Sequence, residues 1–232
     1  MIVTAQQVKK ELKFLGSPEK AKNSSWFFKT GPGQYGEGDL FFGNTVPEQR
    51  KIAKKYQDLN LPQIQILLND KYHECRLTAL LILVAQFKNG NQTQIFNFYL
   101  KNYNYINNWD LVDSSAPNII GNYLIDKPRE VLYKFTRSNN LWKKRIAIVS
   151  TFTFIRNHEF TDTFKIAKIL LSDKHDLIHK ATGWMLREVG NRDQKQLESF
   201  LNKYSGQMPR TMLRYAIERF DEDLRQSYLK KK

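Results

Sequence analysis

A regular spacing of similar helical segments constrains this chain more than any other feature. Five segments share a pattern in which a charged residue precedes a small or apolar run. These landmark residues are Arg76, Asp110, Arg145, Lys180 and Arg214. They lie roughly 35 residues apart, and such a period with two helices per unit indicates an α-solenoid of the HEAT or TPR kind.

Apolar residues recur with helical periodicity along most of the chain, and no alternating strand pattern is present. We predict helices over 4–14, 18–29, 46–58, 61–69, 72–88, 92–103, 106–124, 128–137, 140–156, 160–172, 175–190, 193–203 and 208–219. The predicted fold is therefore all-α, an α-solenoid of HEAT-like helical repeats, curved with a basic concave face. A single domain is expected over residues 1–232.

The charge of the chain favours a polyanionic partner. Lys and Arg number 37 against 23 Asp and Glu, which gives a net charge of +14. This balance is typical of nucleic-acid binding, although a generally basic surface is the alternative. Cys75 is the only cysteine, so no disulfide can form within the chain and a cytoplasmic setting is expected. The longest apolar run, 79–85, is too short to span a membrane.

A glycine-rich segment interrupts the helical pattern between Gly31 and Gly43, and it holds five of the 11 glycines. Glycine backbone amides can approach phosphates closely, so phosphate contact is one interpretation and a plain connector is the other. The Gly-Lys-Ser/Thr that completes a nucleotide-binding P-loop does not follow.

Trp109 and Asp113 are the strongest candidates for chemistry. They lie four residues apart, so a helix would place an aromatic ring beside a carboxylate, and both groups stabilise positive charge. Three residues past the landmarks, the other repeats carry small or apolar residues, namely Ala79, Ile148, Gly183 and Ile217. A carboxylate at this position either faces a groove or forms an ion pair with a basic residue of the next repeat, notably Arg145.

Other candidates carry weaker signals. Trp184 and Arg187 share a helix face, although Trp184 alone would suit a core, and core packing is also the alternative for Trp26 and Phe28. His175 and His179 have no third metal ligand nearby, so we predict no metal site. No lysine is marked as a Schiff-base nucleophile.

Four stretches together resemble the AlkD-like alkylpurine DNA glycosylases. They are Lys29-Thr-Gly-Pro-Gly-Gln-Tyr-Gly-Glu-Gly-Asp, Val46-Pro-Glu-Gln-Arg-Lys, Asn108-Trp-Asp-Leu-Val-Asp and Lys180-Ala-Thr-Gly-Trp-Met-Leu-Arg-Glu. The similarity extends over about residues 17 to 220. It implies HEAT-like repeats and excision of N3- and N7-alkylated purines from DNA.

The resemblance also implies roles for individual residues. Asp113 matches the catalytic carboxylate of the family. Trp109 and Trp184 match aromatic residues that flank the deoxyribose of the damaged nucleotide. The residues expected to bind DNA are Arg145, Arg187, Phe27 and Lys29. Phe27 stands where the family can carry a tyrosine, so any hydrogen bond from that hydroxyl is absent here.

These inferences predict a monofunctional glycosylase that hydrolyses the N-glycosidic bond of cationic purines such as 3-methyladenine and 7-methylguanine. The resemblance implies action on duplex DNA without base flipping. We expect a monomer that needs no cofactor and no metal. The alternatives are a non-catalytic HEAT-repeat protein that binds DNA structure and a solenoid that binds an acidic protein.

Overall fold

The structure, a computed structural model, describes residues 3–230, and α-helices dominate that range. No strand occurs among these residues, although Leu40 and Tyr72 form an isolated parallel bridge. The all-α prediction is confirmed. The chain divides into two compact units, Met1–Ser115 and Ala116–Lys232.

The first unit is organised around one long buried helix. Its α-helices are α1 (Ala5–Leu15), α2 (Pro18–Phe27), α3 (Val46–Lys55), α4 (Leu61–Leu68), α5 (His73–Asn89), α6 (Gln92–Lys101) and α7 (Trp109–Ala116). Helix α5 packs against α3 and α4 and buries most of its first eleven residues. The helices begin where polar side chains cap them: Thr45 and Glu48 form a capping box before α3, and Asn60 caps α4.

The second unit consists of stacked helix pairs. Its α-helices are α8 (Glu130–Thr136), α9 (Leu141–Arg156), α10 (Thr161–Leu170), α11 (Asp176–Gly190), α12 (Gln194–Tyr204), α13 (Arg210–Ala216) and α14 (Glu222–Lys230). Helix α11 packs against both α9 and α13. Gly183 lets α11 approach α13, because a Cβ at this position would lie 2.5 Å from the Met212 carbonyl oxygen.

The predicted repeat is confirmed by the helix order. The landmark residues fall in every second helix, on α5, α7, α9, α11 and α13. Three residues further on, Ala79, Ile148 and Ile217 are completely buried. Asp113 occupies the same register position but is only half-buried. The curvature, the basic concave face and the single-domain organisation stay predictions.

Several predicted helix boundaries differ from the observed ones, among them those of α7 and α2. The helix predicted over 106–124 begins at Trp109; its first α-helical stretch ends at Ala116, a π-helical turn follows at Pro117–Gly121, and residues 122–123 are α-helical again. Pro117 has no N–H, so the α-helical hydrogen-bond pattern cannot continue through it. The helix predicted over 18–29 ends at Phe27, and Lys29 has a positive φ of 56°.

Candidate active site

The first unit contains a cavity of about 540 Å³ whose wall combines aromatic rings with carboxylates. The side chains that define its chemistry are Lys20, Phe27, Phe28, Phe41, His73, Glu74, Trp109, Asp110 and Asp113. Rings and carboxylates both favour a positively charged occupant. The cavity is therefore the best candidate for an active site in this unit.

Helix α7 places both predicted catalytic residues on the cavity wall. The side-chain oxygen of Asn108 accepts the N–H of Trp109 at 2.8 Å at the start of the helix. Leu111 and Val112, between the two predicted catalytic residues in sequence, are fully buried and anchor the helix. Trp109 and Asp113, four residues apart, both line the cavity, as the helical spacing predicts.

Aromatic rings support the indole of Trp109 on two sides. Phe28 stacks on Trp109 with a centroid separation of 5.5 Å and an interplanar angle of 25°. The edge of Phe27 meets the same indole at 5.9 Å and 72°. Such contacts restrict the ring without hydrogen bonds. Phe28 therefore forms part of the cavity wall rather than of the core.

A buried histidine connects α7 to the glycine-rich segment. Nε2 of His73 lies 2.7 Å from the Asp110 carboxylate, and Nδ1 lies 3.2 Å from the Asp39 carboxylate. Arg76 also donates to Asp39, at 2.6 Å. Burial opposes a charge on His73, but the charge and hydrogen bond of Asp110 and the hydrogen bond of Asp39 outweigh it and raise the pKa of His73 to about 9.

The contact with His73 that raises the pKa of the histidine lowers the pKa of Asp39. Burial alone would raise the pKa of its carboxyl, but the hydrogen bond from His73 and the charge of Arg76 lower it below its usual range. The positive charges of His73 and Arg76 thus balance the negative charges of Asp39 and Asp110 in a buried network. We refer to Asp39, His73, Arg76 and Asp110 as the histidine network.

The glycine-rich segment acts as a connector. Its backbone amides are used within the protein: Gly33 donates to the Glu37 carboxylate and Gly36 donates to the Lys29 carbonyl. The Glu74 carboxylate accepts the N–H of Gly43 at 2.8 Å, which fixes the end of the segment to α5. Gly43 has a φ of 86°, and a Cβ there would lie 2.1 Å from the Ser17 carbonyl oxygen. Of the two interpretations of this segment, these contacts support the connector.

The other predicted DNA-binding residue of the first unit, Lys29, lies at the end of α2. Its ammonium group lies 4.7 Å from the ring centroid of Trp26. Trp26 is 75% exposed and Phe27 is 53% exposed. The core interpretation of Trp26 was therefore wrong.

Trp184, Arg145 and Arg187 belong to the second unit. The indole N–H of Trp184 donates to Glu188 at 3.2 Å, and the half-buried ring contacts Phe152. Arg187 forms an ion pair with Glu218.

Arg145 lies deeper in the second unit. It is only 5% exposed and donates to the Leu177 carbonyl at 2.7 Å, so its side chain offers little surface to a phosphate. The roles predicted for these three residues stay predictions.

Across residues 3–230, no group of three or more His, Cys, Asp and Glu side chains is arranged to hold a metal ion. Nδ1 of His175 accepts the N–H of Leu177, and His179 contacts the Asp173 carbonyl at 2.6 Å. In the same residues, no helix combines the length and apolar character that crossing a membrane requires.

Sequence reasoning missed the histidine network. One signal was available in the repeat register, because the landmark position is basic in four repeats and acidic only at Asp110. That reversal of charge indicates a local cationic partner. His73 could not be identified as that partner, because it lies 37 residues away in sequence.

The fold and the cavity define an all-α repeat protein with a cation-stabilising aromatic and carboxylate wall. The model of the DNA alkylation repair enzyme family matches residues 8–220. The chain belongs to this family. Among the curated proteins, none matches the chain.

Two solved structures share the fold. One is described as a predicted DNA alkylation repair enzyme from Enterococcus faecalis. It is 17% identical, with a TM-score of 0.73 over 91% of this chain and 99% of that one. The other is described as a new family of proteins related to the HEAT-like repeat DNA glycosylases with affinity for branched DNA structures. It is 14% identical, with a TM-score of 0.61 over 92% of this chain and 83% of that one.

Proposed function

We propose that this protein is a monofunctional DNA glycosylase that hydrolyses the N-glycosidic bond of cationic N3- and N7-alkylated purines in duplex DNA. The observation that carries the proposal is the cavity in which α7 presents Trp109 beside Asp113. Family membership supports a role in the repair of alkylated DNA.

The chemistry of the substrate explains why a ring and a carboxylate suffice. An N3- or N7-alkylated purine is already positively charged, so it departs with the electron pair of the glycosidic bond and becomes neutral. The deoxyribose acquires oxocarbenium character as that bond breaks. A preorganised carboxylate and an aromatic face stabilise this charge, and the effect is largest where water is excluded.

Water completes the reaction at C1′ of the sugar. Asp113 orients the water and accepts its proton, which then passes to solvent. The products are a neutral free base, an intact strand with an abasic site and one proton. These groups act on the sugar and require no contact with the base edge. We therefore propose that the base is not flipped out. A site formed within one chain also leads us to propose that the protein acts as a monomer.

The test is release of 7-methylguanine from a duplex that carries one such base, in the presence of EDTA. Asp113→Asn keeps the shape of the side chain and removes its charge. We expect a loss of roughly 10–1000-fold in the single-turnover rate, with duplex affinity unchanged. Asp126→Asn is the matched control, because Asp126 is exposed and, among residues 3–230, its ion pair is with its neighbour Lys127.

If Asp113→Asn were fully active, Asp113 would not be the catalytic carboxylate. The strand should break only after hot alkali. Direct cleavage, or a covalent adduct trapped by borohydride, would indicate a lyase instead.

The second candidate function is non-catalytic binding of DNA structure. One fold neighbour is described as having affinity for branched DNA structures, which favours this alternative. Tight binding of the wild-type protein to methylated duplex, without release of any cationic purine, would support it over the glycosylase.

A further inference from the structure

Helix α2 ends with an aromatic side chain that the first unit leaves in solvent. Trp26 is 75% exposed, and none of the residues of α2 is buried. Exposed large aromatic side chains beside polar groups mark interaction surfaces, because their hydration is unfavourable. Trp26 therefore offers an accessible indole on which a flat apolar group can stack.

Two lysines flank this ring. Lys22 lies one helical turn before Trp26 on the same face of α2 and is exposed. Lys29 follows the helix, and its ammonium group lies 4.7 Å from the indole centroid. The Lys29 backbone is fixed because its carbonyl accepts the N–H of Gly36 at 3.1 Å. The indole therefore has one lysine a turn before it on α2 and a second, just past the end of the helix, over its ring.

The other side of α2 faces the cavity. Lys20, Ser24 and Phe27 line it, and they are spaced as one face of a helix. A ligand at the cavity and a ligand on Trp26 would therefore lie on two faces of the same short helix. The Trp26 surface is thus within one helix width of the candidate active site.

We propose that Lys22, Trp26 and Lys29 bind one unpaired nucleotide of a DNA strand. The base stacks on the indole and the lysines contact the flanking phosphates. Every base presents a π-face, so this mode tolerates any sequence, and the phosphates complement the net charge of +14. The proposal rests on the DNA-binding part of the proposed function and adds a preference for unpaired bases.

The experiment compares a labelled duplex with the same duplex carrying one unpaired base, at one salt concentration. The wild-type protein should bind the bulged duplex about 10-fold more tightly, since stacking on an aromatic side chain has this order of effect. Trp26→Ala should abolish the preference, and Trp26→Phe should retain part of it. Phe14→Ala is the matched control, because Phe14 is an 83% exposed aromatic residue on α1; it should keep the full preference.

Tryptophan fluorescence gives a second, direct measurement. The bulged duplex should quench the wild-type protein more than Trp26→Phe, because a stacked base quenches indole emission. Equal affinity of the wild-type protein for both duplexes, or an unchanged preference in Trp26→Ala, would overturn this proposal and leave the glycosylase proposal standing. Failure to bind either duplex would overturn both.

Discussion

His73 shows how a single buried residue organises the candidate active site. It is 2% exposed and contacts carboxylates from two segments, Asp39 before α3 and Asp110 on α7. Phe28 lies over its ring at 4.7 Å and also stacks on Trp109. The imidazolium thus supports the first turn of the helix that carries Asp113.

The charge of His73 makes stability depend on pH. Folding raises the pKa of His73 from 6.5 to about 9. The network therefore contributes its full stability below about pH 6.5 and loses it as the pH rises through about 9. The loss in the free energy of unfolding is on the order of 3 kcal/mol at most.

Chemical denaturation of the wild-type protein and of His73→Gln, between pH 6.5 and 9, measures this effect. The wild-type protein should lose stability over this range and His73→Gln should lose less. Equal slopes in the two proteins would show that His73 is not charged in the folded state.

The unusual environment of Asp113, which lies on the cavity wall, could be predicted from sequence because the repeat provides a reference. Ala79, Ile148 and Ile217 fill the equivalent positions and are buried, so a carboxylate there indicated either a groove or an ion pair with a basic residue of the next repeat. The histidine network lacked such a reference. Asp39 lies in an irregular segment, and only the tertiary fold brings it to His73.

At the scale of elements, most helices could be predicted because their apolar faces are buried against neighbours. Helix α7 was placed too early, although Asn107 and Asn108 are typical capping residues and Asn108 accepts the first N–H. Helix α14 was not predicted, although Leu224, Tyr228 and Leu229 form a short apolar face that packs on the core of the second unit.

The contact of α11 with α13 depends on the absence of a side chain at Gly183. A Cβ there would meet the Met212 carbonyl oxygen and the Tyr215 Cβ, both at 2.5 Å, and neither atom can move without its helix. At Gly190, in the same helix, a Cβ would meet the flexible end of Leu197. Only the first position therefore requires glycine.

Gly183→Ala should destabilise the protein by about 1–3 kcal/mol, as overpacking does. Gly190→Ala should change stability by less than about 1 kcal/mol, because the gain in helix propensity offsets a small displacement of Leu197. Thermal unfolding of the two variants measures the difference. A Gly183→Ala variant as stable as Gly190→Ala would contradict the close approach of these helices.

At the scale of the whole molecule, net charge is the sequence property that most directly supports the proposed binding of DNA. A charge of +14 favours phosphate contacts whatever the positions of individual lysines. Net charge does not predict which individual side chains are buried. Arg145 and Arg187 both looked like phosphate ligands in sequence, yet Arg145 is only 5% exposed, while Arg187 forms an ion pair with the half-exposed Glu218.

Arg187 is therefore the sharper test of a phosphate contact. Duplex affinity should fall steeply with salt, and Arg187→Ala should reduce the slope of log affinity against log salt by about one. Glu218→Gln should strengthen binding, because it removes the carboxylate that competes with phosphate for the guanidinium. The measurement is a salt titration of duplex binding by all three proteins. If Arg187→Ala keeps the wild-type slope and Glu218→Gln the wild-type affinity, the ion pair serves only the stability of the second unit.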